Sequence, residues 1–200
     1  MTMNRALLWT CLFGFFMLLG AAGFWAVSAV TRDPEEVAGI PPAKVADYVH
    51  AVIQANRTIY ETHVVDKMQA KGIVEAAEHW RQENVLPLPA QFLMETGRLA
   101  AETGKGIKYR LVSLWPIYVW NAPSTDFERK GLEAVMKNPD QPFTGFVKSG
   151  HDRYFQAIYA DIAISNSCVE CHNTHINSPK RDFKLKDVMG GIVITIPIAR

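Results

Sequence analysis

Between Arg5 and Arg32 the chain carries no charge. Of the 25 residues from Ala6 to Val30, 20 are apolar, the exceptions being Thr10, Gly14, Gly20, Gly23 and Ser28. As a helix rising ~1.5 Å per residue, this run is roughly 37 Å long, enough to cross a ~30 Å hydrocarbon layer with tilt. Trp9 and Trp25 fall near its ends, where amphipathic rings favour the headgroup level. A retained single-pass anchor is therefore expected over 6–30, with 1–5 as a cytoplasmic tip. Arg5 is the only charge before the span, so the positive-inside rule sends the rest across an inner membrane into the periplasm. A cleaved signal peptide is the alternative, because Val27-Ser28-Ala29 ends in small residues, but signal-peptide cores run only ~7–15 residues. Cys11, inside the run, is read as an apolar filler.

Residues 31–42, TRDPEEVAGIPP, hold three prolines and four charges and read as an exposed linker. With Arg5 set aside, 20 basic and 20 acidic residues remain, all beyond position 30. That balance excludes a nucleic-acid binder working through a basic field. Three cysteines are too few for a disulfide scaffold, and the odd count says they do not share one role.

In the remaining domain, 43–200, apolar residues at Val45, Val49, Val52, Ile53, Ile59, Val64 and Met68 predict a helix from Ala43 to about Lys71. Pro42 is placed to start it and Gly72 to stop it. A shorter helix is expected over Val74–Arg81 and another from Ala90 to about Glu102. Then the texture changes. Ile107–Trp115, Phe143–Lys148, Tyr154–Ile164 and Ile192–Ile198 read as strands, with a helix over Thr125–Met136 capped by Thr125 or Ser124. Pro197 suits an edge or a strand end. Helices followed by strands at hairpin spacing predict an α+β domain with an antiparallel sheet.

Cys168-Val169-Glu170-Cys171-His172 is C-x-x-C-H, the attachment pattern for c-type haem. Two thiols add to the two vinyl groups of one porphyrin, and the adjacent imidazole is delivered to the iron. Such attachment takes place on the exported side of a membrane, in agreement with the orientation read from Arg5. Two other readings compete. A thioredoxin-like redox pair should open a helix after a strand in a βαβ setting, whereas this motif comes late in an antiparallel domain. Zinc held by Cys168, Cys171, His172 and His175 would crowd four ligands into eight positions, two of them adjacent.

The segment NSCVECHNTHINSPKRDFKLKDVMGGIVITIP resembles the C-terminal part of a family of single-haem c-type proteins with a PAS-like fold. That family includes cyanobacterial cytochromes of unassigned function and periplasmic haem-PAS sensor modules. Its pattern is carried here by Pro179, Asp182-Phe183, Asp187, Gly190-Gly191 and the strand from Ile192 to Pro197, with Lys186 where the family has glycine. Upstream, Arg110, Ser113 and Asn121-Ala122-Pro123 match its Arg-x-Ser and Asn-Ala-Pro stretch. The resemblance spans roughly 43–198. It implies a PAS-like domain behind the anchor and one covalent haem c.

Some members of that family hold the far side of the iron with a cysteine on the helix after the proline pair. Fitting that helix onto PLPAQFLMETGRLAAE places Met94 at the position, and no exported cysteine remains beyond the motif pair. A thioether there raises the reduction potential relative to a thiolate. His63, His79, Met68 or an open position are the alternatives. Arg110, Lys180 and Arg181 are candidate partners for the haem propionates. His50 is expected to face solvent, and Trp115, Tyr118, Trp120 and Phe183 to lie in the pocket or core.

No nucleophile–base pair, phosphate loop or carboxylate dyad is visible, so no enzyme is expected. The reading is a membrane-anchored cytochrome passing single electrons on the periplasmic face. It would serve a redox partner protein or a membrane complex, with no nucleic acid involved. The alternative is a haem-based redox or diatomic-gas sensor acting through a separate partner.

Overall fold

Two prolines fix where the described domain begins. In the computed structural model, which describes residues 39–198, helix α1 runs Pro42–Ile59 with Pro42 in its first turn, where a missing N–H leaves nothing unpaired. The expected anchor and cytoplasmic tip lie outside the described residues, as does most of the linker. Among the described residues, no helix is long and apolar enough to cross a membrane. The helical path continues through a π turn, Tyr60–Val65, into α2, Asp66–Ala70, and stops at Gly72 with φ +62°.

The face that α1 and the π turn bury is Ala46, Ile53, Arg57, Glu61 and Val65. This corrects the expected apolar stripe, because Val52 and Ile59 are exposed and two charged side chains take inward positions instead. The π turn continues this face, burying Glu61 and Val65 in line with Arg57.

The helix expected over Val74–Arg81 does not form. Gln69 accepts the Ala76 N–H, and Glu75 C=O accepts the Leu86 N–H, so this backbone is committed to cross-chain bonds. Strands β1 (Ala76–Ala77) and β2 (Leu86–Pro87) pair in parallel around the single-turn α3, Trp80–Glu83. Helix α4, Pro89–Glu102, then starts as expected, with Gln91 accepting the Leu88 N–H ahead of its first turn.

The main sheet holds β3 (Lys108–Val112), β4 (Phe143–Ser149), β5 (Asp152–Ile162) and β6 (Val188–Ile198), in the order β3-β6-β5-β4 and antiparallel throughout. Alternation along β6 sends Ile192, Ile194 and Ile196 to one face, where Ala46, Ile53 and Leu93 of α1 and α4 meet them. Val193 faces the other side with Leu132 and Val135 of α5, Asp126–Lys137, whose N-terminus Thr125 caps. Gly131 lets α5 approach closely, since a Cβ there would lie 2.3 Å from Ile158 Cδ1. The result is a mixed α+β domain with helices on both faces of an antiparallel sheet.

Strand β6 is central, so Pro197 is not on an edge strand. Pairing with β3 ends at Lys108–Thr195, which leaves Pro197 past the last β3 bond and the sheet tolerant of its missing N–H. Helix α6, Asn166–Thr174, lies between β5 and β6, and the loop after it returns through Lys186. Lys186 adopts φ +74°, the left-handed conformation that glycine accepts without strain. Its N–H holds Ala163 C=O at 2.9 Å, so the turn is kept despite the side chain.

Lys186→Gly should raise stability by roughly 0.5–1 kcal/mol, the left-handed penalty relieved less the extra chain entropy of glycine. The urea midpoint of the chain measures it.

Candidate functional site

Ser165 caps α6, its Oγ accepting the Cys168 N–H at 3.3 Å, and this fixes the phase of the helix that carries C-x-x-C-H. Positions three and four apart share a helix face, so Cys168, Cys171 and His172 project together. They line one cavity of about 390 Å³. The motif opens a helix after a strand, but β6 returns antiparallel to β5, so β5, α6 and β6 form no βαβ unit.

Both thiols are free and half-buried. Burial pushes each above the usual thiol value; the Glu61 carboxylate adds to this at Cys168, and Glu78 at Cys171. Burial likewise holds His172 below the ordinary imidazole value, with Asp161 pulling the other way, so the ring is neutral near pH 7. Its Nδ1 is buried without a hydrogen-bond partner. Phe183 meets the ring edge-on, with centroids 5.7 Å apart, and is itself pinned by Asn173, which bonds both its N–H and its C=O.

Met94 lines the same cavity from α4. So do Leu111–Ser113 and Pro116–Tyr118 on the β3 side, and Met189 and Gly190 from β6. Ser113 Oγ donates to Met189 C=O at 2.7 Å, tying those two walls. A Cβ on Gly190 would stand 2.4 Å from Val112 O, so β6 can pass here only without a side chain.

Three charged groups in the wall were not foreseen. Arg57 forms a buried ion pair with Asp161 at the irregular end of β5, where the register shifts against β6. One turn on, Glu61 has no exposed surface. Its Oε1 accepts from Ser165 Oγ and Cys168 Sγ, and its Oε2 has no partner. The signal that could have found Arg57 and Glu61 is the spacing Ile53, Arg57, Glu61, Val65, four apart throughout and bounded by apolar residues; it does not reach Asp161.

Of the expected propionate partners, none lines the cavity. Arg110 shares the face of β3 that packs on α5, because strand alternation puts it beside Val112 rather than Leu111. There it donates to Glu128 at 2.7 Å and to Ser124 at 3.1 Å. Arg181 is exposed and donates to Ile176 C=O, while Lys180 pairs with Asp182 beside the Trp115 and Phe183 rings. His63 and His79 are exposed, and neither they nor Met68 reach the cavity. His175 does, with Nε2 3.3 Å from Glu78. His50 does not face solvent: it stacks on Tyr159 at 3.9 Å. Trp120, expected in the pocket or core, is 65% exposed. Among the described residues, no three His, Cys, Asp or Glu side chains are grouped closely enough to hold a metal ion.

Fold and site together define a mixed α+β domain whose C-x-x-C-H helix forms one wall of a deep cavity. A family model described as Tll0287-like matches residues 39–197, and the chain belongs to the Tll0287-like family. No curated protein and no solved structure matches.

Arg57→Met leaves the Asp161 carboxylate buried and unpaired, and should cost about 3–5 kcal/mol in urea unfolding. Replacing both partners by Met and Leu should recover most of that loss.

Proposed function

We propose that this chain is a membrane-anchored, single-haem c-type cytochrome with a PAS-like domain, which passes one electron at a time on the periplasmic face. The observation that carries the reading is that Cys168, Cys171, His172 and Met94 line one cavity. Its volume falls within the ~300–1,000 Å³ typical of cofactor pockets. The donor set fits the group: two free thiols three residues apart, a neutral imidazole with an orphaned ring nitrogen, and a thioether.

Cys168 and Cys171 would hold the porphyrin as thioethers. His172 and Met94 would ligate the iron. When bound, the haem supplies a one-electron couple, and a His/Met pair raises its potential relative to thiolate ligation. Phe183 and Asn173 fix the His172 ring and helix, which limits rearrangement on electron transfer. Membership of the Tll0287-like family is compatible with this reading. The uncharged run 6–30 supports the anchor, with the N-terminus inside. The neutral domain leaves recognition of a redox partner protein or membrane complex to a local patch or to the anchor itself.

Visible spectra of the reduced, haem-loaded chain should be unchanged by carbon monoxide. Met94→Ala should bind the gas readily and show a lowered potential. Ready gas binding by the wild type would sink the closed site and favour the sensor reading. Identical spectra and potentials in wild type and Met94→Ala would show that Met94 is not the ligand.

A further inference from the structure

Glu61 has no exposed surface, and its Oε2 accepts no hydrogen bond. The charged and titratable groups near it are Arg57 one turn earlier, Asp161 on β5, and Cys168 and His172 on α6, with Glu78 and His175 farther along the same cavity. Arg57 is already paired with Asp161. The inner wall therefore holds two carboxylates and one guanidinium, among Val65, Leu111, Val112 and Met189.

Among the described residues, Cys168 is one of two donors to Glu61, the other being Ser165. A thioether has no S–H, so a chain with haem attached leaves Glu61 with the Ser165 hydroxyl alone. A buried carboxylate with one neutral donor keeps its charge only beside a compensating positive charge. The cavity reaches solvent, since exposed Gln69, Glu170 and Thr174 also line it, and a proton can enter.

We propose that Glu61 is a proton-binding site coupled to electron transfer: it takes up one proton when the cavity gains an electron and releases it on oxidation. This rests on the haem reading above. In the oxidised state the extra positive charge at the iron compensates the carboxylate. One electron from a one-electron donor protein cancels that charge. A hydronium ion from the solvent then gives up one proton: its O–H bond breaks as an O–H bond forms at Oε2, the oxygen without a donor, and water is released. The electron and the proton together leave the net charge of the cavity unchanged. The chain would then carry a proton with each electron and deposit it on the periplasmic side.

Potentiometric titration of the full-length, haem-loaded chain, read by visible absorption from about pH 5 to about pH 9, tests this over the range where buried carboxylates titrate. The wild-type potential should fall as pH rises, by up to about 59 mV for each tenfold drop in proton activity, the one-electron equivalent of a tenfold change in an equilibrium constant. Glu61→Gln should lose that slope, and Glu61→Asp should keep it with a displaced range. A pH-independent wild type overturns the proposal, and so does a Glu61→Gln chain with the wild-type slope, which would assign the proton to Asp161 or a haem carboxylate. Should Glu61→Gln not fold, Ser165→Ala decides: loss of the last donor should move the pH range upward, and an unmoved range overturns the proposal. The mass of the denatured chain separates the two levels. A chain without covalent haem fails the haem reading and this proposal with it. A haem-bearing chain with a flat potential fails this proposal alone.

Discussion

The ion pair between Arg57 and Asp161 joins residues 104 positions apart and closes the first helix onto the end of β5. Two further polar ties run beside it. Glu61 reaches Ser165 and Cys168, and Asp66 accepts from Ser167 at 3.0 Å. All three link the α1–π–α2 rod to the turn that leads into the C-x-x-C-H helix. Such a pair gives little net stability relative to apolar residues of the same shape, but once present it cannot be half removed. Apolar packing of Ile53 and Leu93 on the sheet supplies adhesion without a fixed register. The charged ties select the one depth and rotation at which the rod and α6 face each other.

The elements were legible wherever punctuation and period agreed. Pro42 and Gly72 bounded the first helix, Pro89 opened α4, Thr125 capped α5, and the β-branched run from Ile192 marked the central strand. Reading failed where backbone groups were committed to distant partners. Ala76–Ala77 pairs with Leu86–Pro87 because Gln69 and Glu75 draw it there, and no local pattern records that. The phase of α1 was misread for a related reason. Val52 and Ile59 look like core by composition, yet the inward line is occupied by Arg57 and Glu61, whose burial is compensated by groups a hundred residues later.

The site shows the same division. Cys168, Cys171 and His172 declare themselves because their chemistry demands fixed spacing on one turn of helix. Met94 came from matching a helix to a family pattern, and the fold puts it in the same cavity. Arg110 and Arg181 were chosen for charge alone. Charge says nothing about which face of a strand a side chain takes, and Glu128, only 3% exposed, already holds Arg110 on the far face of the sheet.

The cavity wall is drawn from Arg57 at one extreme and Gly190 at the other, with α1, the π turn, α2, α4, β3, β5, α6 and β6 all contributing. An excised α6 would not contain it. The five-residue motif is therefore not portable: grafted elsewhere, it would bring its thiols and imidazole but none of the surface they face. Detaching either the α1–π–α2 rod or β6 from the domain would remove part of that wall, so the cavity depends on both being docked.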